Sequence, residues 1–306
     1  MITQRLPKRI AIVFSVFLFV IFHGSLHGAQ RGTLQDKGVL ILFDEPLRVA
    51  AEEAVTLYPR LKKELEERLA RPVNFRTTIV LVKESETFKR MAGTGLIVAF
   101  AIPEKNLMVI DYSKTRIDPF SIETTMKHEL CHLLLHNHIK EGNLPKWLDE
   151  GICQWVSDGI SEIIMTQKKS VLDEAILSGR HISIRALTGR FPRDERYLVL
   201  AYEESKSLVE YIISAFGEEA LLSMLNDLTE GVEVDAAILR SLSISLDELE
   251  SRWHQQLKRE ITWVTYLINH LYEILFFLAA MAMIYGFIRG LMKKRAYRDE
   301  EEEEGE

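Results

Sequence analysis

The chain has 306 residues, enough for one large domain or two small ones, and a formal net charge of −7. That charge, with no basic stripe interleaved with aromatics in the middle of the chain, excludes nucleic acid from the expected partners. Two cysteines, Cys131 and Cys153, cannot build the disulfide framework that staples small secreted domains.

In chain order, Arg5, Lys8 and Arg9 precede an apolar run over 10–22 that has signal-peptide length and is short for a membrane span. Residues 1–29 are therefore expected to be an export signal, cleaved after Ala29, with an uncleaved anchor as the alternative. The aliphatic run 39–43 predicts a strand, and Pro46 opens a helix to about Ala70 whose Lys62, Lys63, Glu64, Glu66, Glu67 and Arg68 form a solvated face. Arg71-Pro72 ends it. Residues 77–82 predict a β-branched strand, 84–91 a helix, and 96–102 and 107–112 two strands around a turn at 103–106. An apolar helix is expected from near Pro119, and a second over 144–156. Beyond Trp155 the pattern is helical, with a loop around 188–194.

The apolar stretch 263–288 is long enough for the ~20 residues a bilayer core requires, with Trp263, Tyr266 and Tyr285 near its ends. Arg289, Lys293, Lys294, Arg295 and Arg298 follow, and the positive-inside rule puts them in the cytoplasm. The expected organisation is thus a folded domain over 30–258 outside the cytoplasm, one transmembrane helix over 263–288, and a charged cytoplasmic tail over 289–306.

The chemistry-bearing residues lie on the two apolar helices. His128-Glu129-Leu130-Cys131-His132 is an HExxH pattern. Residues four apart on a helix are separated by roughly 40° of rotation and about 6 Å of rise. His128 and His132 therefore share a face and can bind one Zn²⁺. Glu129 leaves the helix about 100° from His128, too far round for a good ligand but able to reach a zinc-activated water as general base and then general acid. The flanks Ile122, Met126, Leu130, Leu133, Leu134 and Leu135 argue for burial, and a buried helix does not hold two histidines and a glutamate without partners or metal.

Read with Trp147-Leu148-Asp149-Glu150-Gly151, this pattern resembles the gluzincin zinc metallopeptidases, in particular the aminopeptidase N-like branch and the bacterial peptidase MA-like proteins. The resemblance runs over about 39–257, including the stretches 201–205, 211–212 and 247–253. It implies an α+β zincin-like fold, with a sheet first, the HExxH helix beneath it and a helical subdomain after. It implies Glu150 as third zinc ligand and Tyr202 as donor to the oxyanion, although Tyr202 also suits simple packing on an apolar helix. By the same resemblance Gln154 orients a ligand histidine. No Gly-Ala-Met-Glu-Asn-type sequence is present, so aminopeptidase specificity is not implied.

His138 is a rival ligand, ten positions after His128 as in metzincins, but Leu135 stands where that pattern needs a glycine. Glu150 is preferred. Cys131 and Cys153 are read as two small buried hydrophobes rather than a disulfide, although helices that share a metal would bring the thiols close. The function expected is hydrolysis of peptide bonds in a peptide or protein substrate held as a strand along the edge 96–102, where Gly93 and Gly95 permit close approach. The alternative is a catalytically inactive zincin-fold module for binding or assembly in the cell envelope.

Overall fold

Aliphatic and β-branched runs supply a five-stranded mixed sheet in the order β1-β2-β3-β5-β4, from β1 (Arg31–Asp36), β2 (Val39–Asp44), β3 (Thr77–Val82), β4 (Ala99–Ile102) and β5 (Leu107–Asp111). The structure is a computed structural model that describes residues 31–117, 120–158, 171–260, 268 and 270–303. The expected export signal lies outside these residues, as do Trp263 and Tyr266. Strands β2, β3 and β5 run parallel, and each edge strand is antiparallel to its neighbour. Strand β1 is not legible as an apolar run. It exists because Lys37-Gly38 turns the chain back on β2, with Gly38 at φ 87, a conformation costly for a side chain.

Val39, Ile41 and Phe43 of β2 alternate into the core, whereas β5 is buried along its whole length because both sheet faces are covered. On one face α1 (Arg48–Leu69) lays Ala51, Ala54, Tyr58, Leu61, Leu65 and Leu69 against the sheet at helical spacing. It ends at Ala70 in the left-handed region (φ 50), just before the expected Arg71-Pro72 break. Buried Arg71 donates to Leu69 O, Asn226 Oδ1 and Thr229 Oγ1, tying this helix end to the helical half of the chain. On the other face α2 (Ser85–Ala92) packs Phe88 into a small cluster with Val82, Leu107 and Val109.

Among the described residues the sheet is followed by α3 (Ile122–His138), α4 (Lys146–Val156), α5 (Val171–Ser178), the short α6 (Ile184–Leu187), α7 (Glu195–Phe216), α8 (Glu218–Thr229), α9 (Val234–Leu242) and α10 (Leu246–Glu260). The order, sheet first and helices after, is the α+β arrangement expected. One continuous apolar core runs from the sheet through α3 and α4 to α10. Glu204 of α7 is buried in it and accepts the Ile182 N–H at 3.0 and 3.3 Å, which pins the loop between α5 and α6.

Helix α11 (Leu271–Glu303) begins with an apolar stretch, Leu271–Gly290, of 20 residues and mean hydropathy 2.0 with none of it buried. At about 1.5 Å per residue it is long enough to cross a bilayer core. The helical backbone continues past the expected end of the span at 288 and into the acidic run.

Candidate metal centre

Helix α3 starts at Ile122 rather than near Pro119, because Ser121 caps it. The Ser121 Oγ accepts the Thr124 N–H at 3.0 Å, and Thr124 Oγ1 accepts the Ser121 N–H at 3.2 Å. One helical turn separates His128 from His132, and their Nε2 atoms approach to 3.1 Å. Glu150 comes from α4 and places Oε2 3.7 Å from His128 Nε2 and 3.6 Å from His132 Nε2. His128, Glu129, His132 and Glu150 are all buried.

The outer nitrogens decide what the inner ones can do. His132 Nδ1 lies 2.7 Å from Asp149 Oδ1 and therefore donates to that carboxylate. His128 Nδ1 lies 3.3 Å from Ser157 Oγ, whose own proton goes to Cys153 O at 2.6 Å, so the hydroxyl accepts from the ring. Both imidazoles thus keep a proton on Nδ1 and, whenever Nε2 is deprotonated, turn Nε2 lone pairs toward one point. Two lone pairs 3.1 Å apart, with a carboxylate oxygen beside them, repel unless a cation lies among them. Oε2 of Glu150 makes no hydrogen bond among the described residues. Two imidazole nitrogens and one carboxylate oxygen, all buried and within 4.8 Å of one another, fit a catalytic-type Zn²⁺ site.

The other oxygen of Glu150 is held from outside. Lys146, one turn earlier on α4, pairs with Oε1, and the Tyr202 hydroxyl donates to it at 3.4 Å. Although burial opposes ionisation, Lys146 and His132 hold the Glu150 carboxyl well below the usual carboxylate range. Burial alone would depress His132, but the carboxylates of Asp149 and Glu150 outweigh it and raise the ring well above the usual imidazole range, so without a metal a proton takes the cation's place at Nε2 and metal binding would displace it. Asp149, held low against burial by His132 and Lys146, also takes His136 Nε2 at 3.0 Å on its second oxygen.

The structure thus brings His128, His132, Glu150 and Tyr202 together and adds Asp149, Lys146, Ser157 and His136, which the sequence reading did not single out. Two expectations are corrected. Gln154 orients no histidine. Its amide donates to Glu150 O at 3.3 Å and Tyr202 O at 3.1 Å and so joins α4 to α7, while Asp149 orients His132. The cysteines are not two thiols: Cys131 and Cys153 form a disulfide with Cα atoms 5.4 Å apart, since the shared site forces α3 and α4 together where both side chains face inward. Gly93 is the left-handed cap of α2 (φ 73), and nothing lies within 4 Å of where a Cβ would stand. The rival ligand His138 points away, with Nε2 2.9 Å from Pro72 O.

Gly151 explains itself in the same packing. A Cβ there would lie 2.3 Å from Ser205 O and 2.6 Å from Val209 Cγ2, so only glycine lets α4 rest this closely on α7. Tyr202 rides on α7 and reaches Glu150 through that approach, its ring edge-on to Phe191 at 5.2 Å.

Comparison with known proteins adds the following. The sequence profile of the peptidase MA superfamily matches residues 59–259. Among solved structures, similarity is found to a variant of a two-domain M1 zinc metallopeptidase bound to L-arginine, at 13% identity and a TM-score of 0.46, covering 74% of this chain and 51% of that one. An M1 zinc metallopeptidase variant from Deinococcus radiodurans, bound to a Tyr-Ser-Ala substrate, is similar at 13% identity and a TM-score of 0.43, over 74% of this chain and 51% of that one. The chain spans about half the length of these structures. No curated protein matches it.

Proposed function

Because the chain belongs to the peptidase MA superfamily, we propose that it is a membrane-anchored zinc metallopeptidase that hydrolyses peptide bonds. The observation that carries this reading is the pair of Nε2 atoms 3.1 Å apart facing the unbonded oxygen of Glu150. His128, His132 and Glu150 would hold the metal. Zinc, when bound there, supplies a Lewis acid for the scissile carbonyl and a water acidified to a pKa of about 7.

The chain's own groups account for the rest. Glu129, buried beside the first ligand in sequence, takes a proton from the attacking water. It returns that proton to the leaving amine as the carbon–nitrogen bond breaks, so water is divided between the new carboxylate and the new amine. Tyr202 swings its hydroxyl from Glu150 Oε1 to the developing oxyanion, and Lys146 keeps that carboxylate in place meanwhile. The substrate lies along β4, whose outer edge is unpaired among the described strands and which packs against α3. Leu271–Gly290 anchors the enzyme, and the basic residues Arg289, Lys293, Lys294, Arg295 and Arg298 keep its C-terminal end in the cytoplasm, with the peptidase domain outside.

The test uses the full chain in detergent, a peptide library and the substitution Glu129→Gln. Zinc content should stay at the wild-type level while hydrolysis falls by about 10²–10⁴-fold. Undiminished hydrolysis with zinc retained would refute the mechanism, and a wild-type protein that binds zinc but cleaves nothing would favour an inactive binding module.

A further inference from the structure

The helical half of the chain carries a second constellation of metal-ligating groups, remote in sequence from α3 and α4. Glu250 and His254 stand one helical turn apart on α10, so both side chains leave the same face. His181 comes from the loop between α5 and α6. One ligand atom of each of these three residues lies within 4.8 Å of those of the other two. The rings of His181 and His254 are in contact, with centroids 3.9 Å apart and planes at 57°.

Two further facts separate this cluster from an ordinary surface trio. His254 Nε2 is buried and makes no hydrogen bond among the described residues, a costly state for a ring nitrogen. Glu250 Oε1 accepts the Ile184 N–H at 3.3 Å, which ties the carboxylate to the segment that carries His181. The half-buried ring packs on Trp253 at 4.6 Å between centroids. That contact covers the ring and offers its nitrogen no hydrogen bond.

We propose that His181, Glu250 and His254 form a second divalent-metal site, distinct from the His128–His132–Glu150 centre. Two imidazoles and one carboxylate select a borderline transition metal such as Zn²⁺ over Mg²⁺ or Ca²⁺, which take oxygen shells. The buried carboxyl of Glu204 pins Ile182 beside the site. The bound ion would clamp the loop over residues 179–183 to α10. Its role is to hold the helical half together.

The experiment counts metal. Full-length protein in detergent is stripped with chelator, reloaded with Zn²⁺, freed of excess and assayed for zinc per chain. The expected counts are two for wild type, one for His181→Ala and one for His254→Phe, which keeps the ring packing. One is also expected for the double variant His128→Ala/His132→Ala. Adding His181→Ala to that double variant should leave none. In the double variant, Co²⁺ should produce visible absorption that His181→Ala removes. His181 is exposed, so its loss should leave the fold intact. A wild-type count of one that vanishes in the double variant overturns the proposal, as does a count of two that neither His181→Ala nor His254→Phe lowers. Failure of the first site has a different signature, a count unchanged by His128→Ala/His132→Ala.

Discussion

The contact at Gly151 allows a quantitative prediction. Replacing it with alanine puts a methyl 2.3 Å from Ser205 O and 2.9 Å from Ser205 C, where a carbon–oxygen contact needs about 3.3 Å. The obstruction is helix backbone, which cannot rotate aside, so α4 and α7 must part by about 1 Å. Overpacking of this kind costs about 1–3 kcal/mol, and a backbone obstacle belongs at the upper end. Alanine returns about 1 kcal/mol through its better helix propensity. The net loss is about 2 kcal/mol, which for a domain of this size lowers Tm by about 4–8 °C. Tyr202 moves away with α7, so its 3.4 Å contact to Glu150 goes too, while the ligands on α3 and α4 remain together. Thermal unfolding followed by circular dichroism, with zinc content measured alongside, should show a lower Tm and retained metal. Gly189→Ala, where no atom lies within 4 Å of a built Cβ, is the control and should leave Tm unchanged. A Gly151→Ala protein as stable as wild type would mean the α4–α7 interface opens at no cost, and the argument for this glycine would be wrong.

Three other outcomes are expected. Asp149→Asn removes the charge that orients His132 and should weaken zinc binding by about 10–100-fold in a chelator competition, and unchanged affinity would deny Asp149 that role. Glu204, pushed up from 4.5 to about 8 by burial, holds in the folded protein a proton that the unfolded chain releases, so its stabilising contribution is whole below about pH 4.5 and is lost as pH rises through about 8. Glu204→Gln keeps the acceptor for Ile182 and should flatten the fall in denaturation midpoint across that window; a wild-type-to-variant difference constant from pH 5 to pH 9 would contradict it. Breaking the Cys131–Cys153 bridge by paired alanine substitution frees a loop of 22 residues and should cost about 3 kcal/mol in equilibrium unfolding; no loss of stability would show the bridge to be incidental.

What could be read from the sequence was local. Strands β2, β3 and β5 announce themselves by β-branched runs, and the histidine pair by helical spacing. Strand β1 could not be seen, because Arg31, Gly32, Gln35 and Asp36 carry no apolar period and the strand depends on the turn at Gly38. The start of α3 was misplaced because its cap pairs Ser121 with a threonine, where the familiar box has glutamate or glutamine. Glu150 was reached through family resemblance. The groups around it depend on which way α4 faces once it is packed. Gln154 follows Glu150 by one turn, yet its amide goes to the α7 backbone, whereas Asp149, a neighbour in sequence, turns toward α3. Lys146 had a local signal, a cation one helical turn before Glu150, that spacing alone could have flagged. The cysteine pair follows the same tertiary logic: each residue alone looks like a small buried hydrophobe, and only the packing of α3 on α4 makes the bridge.

That bridge would also govern the loss of a metal from the proposed site. Cys131 lies next to His132 on α3, and Cys153 lies three residues beyond Glu150 on α4, so the covalent link joins the two helices within the proposed ligand set itself. An empty site held only by packing could spread as α4 breathes, and each return of Glu150 to the histidines would be a fresh search. With the link in place Glu150 stays at a high effective concentration beside the imidazoles, as for any pair joined by a very short tether. The ordering that metal binding would otherwise demand has already been met during oxidative folding. Metal exchange in the oxidised protein therefore becomes a matter of ligand substitution rather than of rebuilding the helix pair.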